Sequence, residues 1–533
     1  MSRLSSRVRV GAVVLVGLLA ATTAGTAVAV QTGVFGVRPA AVAEAVRARL
    51  AMADGVAPTV PEGLHPGLAD VYGARAGAPL WMDADARGAA LALLASSAAD
   101  GLDPAAFGAD DLAARASAAA TDTSLADLDL RLTSALLAYG DSLVAPRVDP
   151  SDLYGLDWTA TPRTADPAAR LAAAMPAGVP VSAASVEAWA DRLRPPHEGY
   201  RALRAVAVRE AALEGRDDLH LDADLAPGDT GAAVGVLRAR LGVEAAALAA
   251  ATGERLDVGA GRRFDEALGA ALARVQDRAG LAPSGVLDGE TRAWLNRRQT
   301  DLLPLVRLNL ERWRWLPDSL GALHVWVNLP EFEMTVRTTD STGAVAELLR
   351  ARAIIGKTAT RTPVFSDTME TIVFNPTWII PASILRRQGR EVRFTEVPSG
   401  PGNALGRVKF LFPNDHAVYL HDTNARGLFE AEDRARSAGC VRVGAPRDLA
   451  VALLRHSNGW TEADVDERMT GAWVTETIRL DRPVQTHLVY FTATADASGR
   501  VTVWPDVYRH DARLGDALGI TGPLRPISET PAG

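Results

Sequence analysis

The stretch HDTNARGLFEAEDRARSAGCVRV, residues 421–443, holds the only cysteine of a 533-residue chain, 440 − 421 = 19 positions after a histidine. It starts in one short β-rich run, VYLHD, and ends in another, CVRV, with Gly439 at the turn between them. The same pattern extends both ways. ALHVWVNLPEFEMTVRTTDSTG alternates apolar and polar residues and turns at Asp340 to Gly343, as a hairpin does. ETIVFNPTWIIP, VKFLFP, HLVYFTATAD and RVTVWPDVY are further β-rich runs between turn residues. Helical spacing interrupts them in NLERWRWLP, which stops at Pro317, and in APRDLAVALLRH, with Pro446 in its first turn. Residues 300–515 are therefore expected to form a mainly β domain, with a tail at 516–533.

Upstream, the periodicity is helical. At 222–299, LAPGDTGAAVGVLRARLG sets the turn Pro227-Gly228-Asp229 before a helix burying Val234, Leu237 and Leu241. FDEALGAALARVQDRAGLAPSGVLDGETRAWLN then gives a second helix, a turn and a third short helix opening near Asp288. Residues 61–221 read as an all-α scaffold, with helical runs such as RGAALALLASSAADG, LRLTSALLAYGDSLVA and RPPHEGYRALRAVAVREAAL. No catalytic grouping falls there. Residues 31–60, with QTGVFGVRPA and GVAPTVPEG, read as a tether.

At residues 1–30, Arg3, Arg7 and Arg9 precede an uncharged apolar run from Val10 to Val30 that closes on Ala27-Val28-Ala29. That is the anatomy of an export signal. Its length also suits an uncleaved anchor, which leaves cleavage and anchoring open. The expected location is the periplasm or cell envelope. A single thiol in an exported chain makes no internal disulfide, so it is either a small buried hydrophobe or a reactive group. Composition sets outer limits: 48% hydrophobic and 23% charged residues describe a globular chain. A net charge of −8, without a dense basic block, argues against a nucleic-acid partner. Nine histidines and one cysteine form no metal motif, and DVGAGRR lacks a strand–helix frame, so no metal or cofactor is expected.

A cysteine nucleophile needs a base, backbone N–H groups for the oxyanion, and room for a carbonyl. His421 at a strand end and Cys440 at a glycine turn supply the first parts. Gly439 lets the backbone approach a substrate, making its N–H and that of Cys440 candidate oxyanion donors. An imidazole at hydrogen-bond distance would lower the thiol pKa. These residues resemble the YkuD-type L,D-transpeptidase signature, His followed by Ser-x-Gly-Cys-x-Arg. Within that group the chain is similar to the large, YcbB-like branch. NLERWRWLP, VNLPEF, IIGKTATRTPVFSD, FNPTWIIP, GNALGRVKFLFPN and VYLHDT support it in order. Residues 222–299 likewise resemble a peptidoglycan-binding-like three-helix domain, or a spacer of that fold. The implied fold is multidomain α+β: helical scaffold, three-helix domain and mainly β catalytic domain.

The resemblance implies that Cys440 attacks a peptidoglycan tetrapeptide stem, with His421 as base and acid, and that the thioester passes to a second stem in a 3→3 cross-link. It implies peptidoglycan stems, and potentially glycan strands, as partners, and carbapenems as inhibitors. Ser437 shapes the turn, and Arg442 either holds a substrate carboxylate or makes a structural salt bridge. Asp422 and His416, near the base, read as structural. Two departures stand out. Ala438 sits where short members carry histidine, so oxyanion help must come from the backbone. Only RRQGREVRFTEVPSGPG, residues 386–402, occupies the place of the usual lid subdomain, and its length predicts a flexible loop. Water or a free D-amino acid as acceptor, giving a carboxypeptidase or exchange enzyme, remains an alternative, as does a non-catalytic wall-binding scaffold.

Overall fold

The computed structural model describes residues 38–52, 58–159, 163–297, 302–340, 345–380, 385–386, 389, 391, 395–496 and 498–520. The arginine-led segment at 1–30 and the tail beyond 520 lie outside them. By contacts the chain divides into two units. One takes in the described parts of 1–96, 104–139 and 167–191, and the other 97–103, 140–166 and 192–533.

The alternating runs of the C-terminal half form the strands β1 (Leu323–Asn328), β2 (Glu333–Thr339), β3 (Val345–Gly356), β4 (Phe365–Phe374), β5 (Trp378–Ile379), β6 (Glu396–Val397), β7 (Val408–Leu411), β8 (Leu420–His421), β9 (Ala435–Ser437), β10 (Val441–Val443) and β11 (Glu476–Val489). Nine of them make one sheet in the order β10-β8-β7-β4-β11-β1-β2-β3-β9, and a second pairing of β10, with β3, closes it on itself. Most neighbours are antiparallel. The exceptions are β1 with β11, β8 with β10, and β3 with β9. The enclosed core includes Val325, Val327, Met334, Val336, Ile372, Phe374, Phe410, Leu420 and Val441.

β1 is buried on both faces. Its outward Trp326 stacks on Trp313 of the Leu303–Arg314 helix at 5.6 Å and on Phe491 at 5.7 Å. Tyr200, Leu203 and Val206 of the Glu198–Leu213 helix complete that second apolar layer. Buried Asp100 holds the layer's polar edge, accepting from Arg194 at 3.1 Å, Tyr200 at 2.8 Å and Arg204 at 2.9 Å.

Within 222–299, helices Ala232–Thr252, Glu266–Arg278 and Gly289–Asn296 share a core of Val234, Leu237, Leu241, Leu268, Leu272, Leu287 and Leu295. Asp265 and Asp288 cap the second and third by accepting from Leu268 and Thr291 N–H. The other unit is helical, with Ala84–Ala95 and Ala109–Ala118 among its elements.

One reading changes. The segment at 31–60, expected as a tether, contains a helix at Pro39–Arg49 that buries Val42 and Val46. Pro39 opens this helix, where a missing N–H costs nothing.

Candidate active site

The site is built on one face of three adjacent strands. Val441 pairs in parallel with Leu420 and Arg442 with His421, while Lys409 pairs antiparallel with His421. Side chains alternate across a sheet, so Val408, Phe410, Leu420 and Val441 enter the core. Lys409, Tyr419, His421, Cys440 and Arg442 share the opposite face. Sequence spacing alone does not place His421 and Cys440 on neighbouring strands; the parallel pairing of β8 with β10 does, with Arg442 opposite His421 and Cys440 two residues before it.

His421 Nδ1 is hydrogen-bonded to the Asp422 carbonyl. A carbonyl only accepts, so Nδ1 carries the proton and Nε2 keeps its lone pair. Burial, then the nearby Arg442 and Lys409 cations, push the His421 pKa down to about 3. The imidazole therefore rests neutral. The Asp422 carboxylate does not orient the ring. It accepts from Arg407 N–H at 2.8 Å, Thr423 N–H at 2.6 Å and Arg426 at 2.6 Å. His416 instead packs its ring against Phe365 at 4.9 Å. Both fit the structural roles expected of them.

Burial pushes the Cys440 thiol up; Tyr419 and the Arg442 charge oppose that rise. Its sulfur lies 4.0 Å from the Ala417 carbonyl. The sequence-based expectation of an imidazole-depressed thiol is thus not met in this resting state, because desolvation outweighs the neighbours. Burial thus favours the neutral form of both the thiol and the imidazole.

The turn entering β10 is held by side chains. Ser437 Oγ accepts from Gly439 N–H at 3.0 Å and donates to the Cys440 carbonyl at 2.6 Å. Gly439, expected as an oxyanion donor, therefore has its N–H already engaged. The Cys440 N–H meets no acceptor among the described residues and is the available donor. Gly439 has φ +131°, a conformation that favours glycine. Arg442 makes no ion pair among the described residues, and its Nε is buried without a partner. The salt-bridge alternative is not realised.

Tyr419 and Lys409 were missed by sequence reasoning, although alternation in VYLHD and pairing with VKFLFP place both on the His421 face. The flexible-loop expectation for 386–402 also needs correction where the chain is described. Glu396–Val397 pairs with Trp378–Ile379. The Asn403 amide donates to the carbonyls of Pro376 at 2.8 Å, Val397 at 3.3 Å and Pro398 at 3.2 Å. Residues 387–388, 390 and 392–394 lie outside the described set.

A thiol, a neutral imidazole and a backbone N–H without an acceptor among the described residues thus lie at the ends of neighbouring strands, and comparison with known proteins gives the class of the domain that holds them. Residues 322–464 match the YkuD L,D-transpeptidase catalytic domain, and residues 66–206 match a scaffold domain. The chain thus carries an L,D-transpeptidase catalytic domain with a scaffold domain upstream. A Haemophilus influenzae protein, provisionally assigned as an L,D-transpeptidase, is 29% identical over 255 residues, 41% of this chain. The chain spans only half the length of that relative. Among solved structures, an L,D-transpeptidase from Xylanimonas cellulosilytica is 15% identical, covering 49% of this chain and 95% of its own, with a TM-score of 0.16. A fused zinc-dependent amidase/peptidase/peptidoglycan-binding domain-containing protein from Clostridium acetobutylicum is 11% identical, covering 50% and 99%, with a TM-score of 0.15. At those scores the two likenesses carry no argument.

Proposed function

We propose that the chain is an exported L,D-transpeptidase that forms 3→3 peptidoglycan cross-links through a Cys440 thioester. The observation that carries this reading is the shared sheet face of Cys440 and a neutral His421 whose Nε2 meets no partner among the described residues. In the proposed reaction Nε2 takes the thiol proton as sulfur attacks the carbonyl between the third and fourth stem residues. The Cys440 N–H receives the oxyanion. Imidazolium then protonates the departing amine of terminal D-Ala. The amine of a diaminopimelate on a second stem attacks the thioester carbonyl, gives up its proton to His421 and releases the thiol. Arg442 and Lys409, cationic and beside the base, supply charges for stem carboxylates. Ser437 holds the turn.

Four further parts belong to the same proposal. Residues 1–30 direct export or anchor the chain in the inner membrane. Residues 61–221 act as scaffold. Residues 222–299 form a peptidoglycan-binding-like domain. Carbapenems acylate Cys440. The test is mass spectrometry of disaccharide-tetrapeptide muropeptides incubated with the chain and with Cys440→Ala. Cysteine-dependent dimers lacking one D-Ala are expected. Tripeptide monomer alone would turn the assignment to hydrolysis, and unchanged substrate from folded protein would refute catalysis on this stem.

A further inference from the structure

The segment IIGKTATRTPVFSD contains Thr362, which the reaction as drawn leaves without a part. It is buried to 1% exposure between β3 and β4. Its hydroxyl donates to the Gly439 carbonyl at 2.7 Å and accepts from Gly356 N–H at 2.8 Å. Its own N–H donates to the Tyr508 hydroxyl at 3.2 Å, and that hydroxyl donates to the Gly356 carbonyl at 2.7 Å. Tyr508 lies beyond the span matched by the catalytic-domain model.

The Gly439 carbonyl and the Cys440 N–H belong to one peptide unit. In a trans peptide the two point in opposite directions. A carbonyl drawn back onto Thr362 therefore aims the Cys440 N–H away from it, where no acceptor among the described residues meets it. Ser437 leaves this peptide's orientation open, since it binds the Gly439 N–H and the Cys440 carbonyl on either side. At glycine, with φ +131° and no atom closer than 3.7 Å to an added Cβ, local sterics do not fix the peptide either.

We propose that Thr362 is the positioning residue of the oxyanion site, its hydroxyl setting the 439–440 peptide so that the Cys440 N–H faces the reacting carbonyl. This rests on Cys440 being an acylated nucleophile. Two reactions of the same sulfur separate positioning from general damage. With p-nitrophenyl acetate, sulfur adds to the carbonyl, the π pair moves to oxygen, and collapse expels p-nitrophenolate; the thiol proton goes to His421. With iodoacetamide, sulfur displaces iodide and no oxyanion forms.

In the full chain, Thr362→Val is expected to slow Cys440-dependent p-nitrophenolate release by about 10²-fold, the size of losing one oxyanion donor. Its iodoacetamide rate at the same pH should stay within about twofold, because that step makes no call on the donor. Thr362→Ser, which keeps the hydroxyl, should restore acylation. Thr362→Ala, with room for water, is run beside them in case Val does not fold. Equal loss in both reactions, or equal loss in Ser and Val, would overturn the proposal. So would unchanged acylation in folded Val or Ala. Failure of the wild-type chain to release p-nitrophenolate through Cys440 would overturn the acyl-enzyme reading itself, and this inference with it.

Discussion

Gly406 offers a test of how the strand end carrying His421 is held. It has φ +62°, and a Cβ there would lie 2.3 Å from Asp422 Oδ2 and 2.4 Å from its Cγ. An alanine in this left-handed conformation costs about 1–2 kcal/mol by itself. Asp422 cannot swing away cheaply, because its carboxylate accepts from Arg407 N–H, Thr423 N–H and Arg426. Losing one of these charge-assisted bonds adds about 1.5–3 kcal/mol. Gly406→Ala should therefore destabilise the catalytic unit by about 3–5 kcal/mol. For a domain of this size that lowers the thermal midpoint by on the order of 10 °C. It should also lower turnover, since the Asp422 carbonyl fixes the His421 tautomer. Calorimetry of the full chain reads the first effect, with Gly402→Ala as control, because nothing lies within 4 Å of a Cβ there. Asp422→Ala in the Gly406→Ala background should cost less than the sum of the two single changes. A midpoint shift under about 2 °C for Gly406→Ala, or strict additivity, would refute the packing argument, since the cited costs put the shift well above that.

Three other outcomes follow from the buried groups. Burial holds His421 and His510 down to about 3 and His197, His324 and His487 down to about 4. Between these values and about 6.5 the unfolded chain binds more protons, so their contribution to stability is full above about pH 6.5 and lost as pH falls toward 4. The thermal midpoint should drop steadily below pH 6.5; a flat profile down to pH 5 would contradict the buried neutral state. Alkylation of Cys440 by iodoacetamide should rise with pH through a single inflection above the ordinary thiol value, with none near 6.5; an inflection near 6.5 would indicate a thiolate–imidazolium pair instead. In the three-helix unit, the Gln276 side chain accepts from Gly285 N–H at 2.8 Å and donates to the Val286 carbonyl at 2.8 Å and to Thr291 at 2.9 Å. Gln276→Leu should destabilise that unit by about 2–4 kcal/mol through groups left unsatisfied, read as a lower midpoint for its transition.

What the sequence discloses and what it conceals divide by range. VYLHD reads as a strand from its alternation and ALHVWVN, buried on both faces, from its apolar and β-branched content, and the helical periods of 222–299 mark three helices in their correct places. His421 and Cys440 stand out in the sequence because their chemistry is rare and their turn residues distinctive, and the fold puts them on neighbouring strands. The occupied Gly439 N–H is not, since it depends on which way the Ser437 hydroxyl turns. Thr362 sits in a quoted segment, yet its partner Gly439 is 77 residues away, and no periodicity encodes such a bond. Asp100 is concealed in the same way: it closes a helical run in the sequence and proves to be buried against Arg204, 104 residues away, and Arg314, 214 residues away.

The second pairing of β10 has a consequence for when the protein becomes reactive. Val443 meets Ala353 and Arg442 meets Ile354 across about ninety residues of chain, and the same short strand lies against His421. Contacts this far apart form slowly compared with hairpins such as β2–β3. A chain that has made its hairpins but not this seam has not yet laid Cys440 on the strand beside His421. On the proposed reaction, the reactive arrangement is thus assembled only when the fold is complete, and a chain short of this seam stays inert.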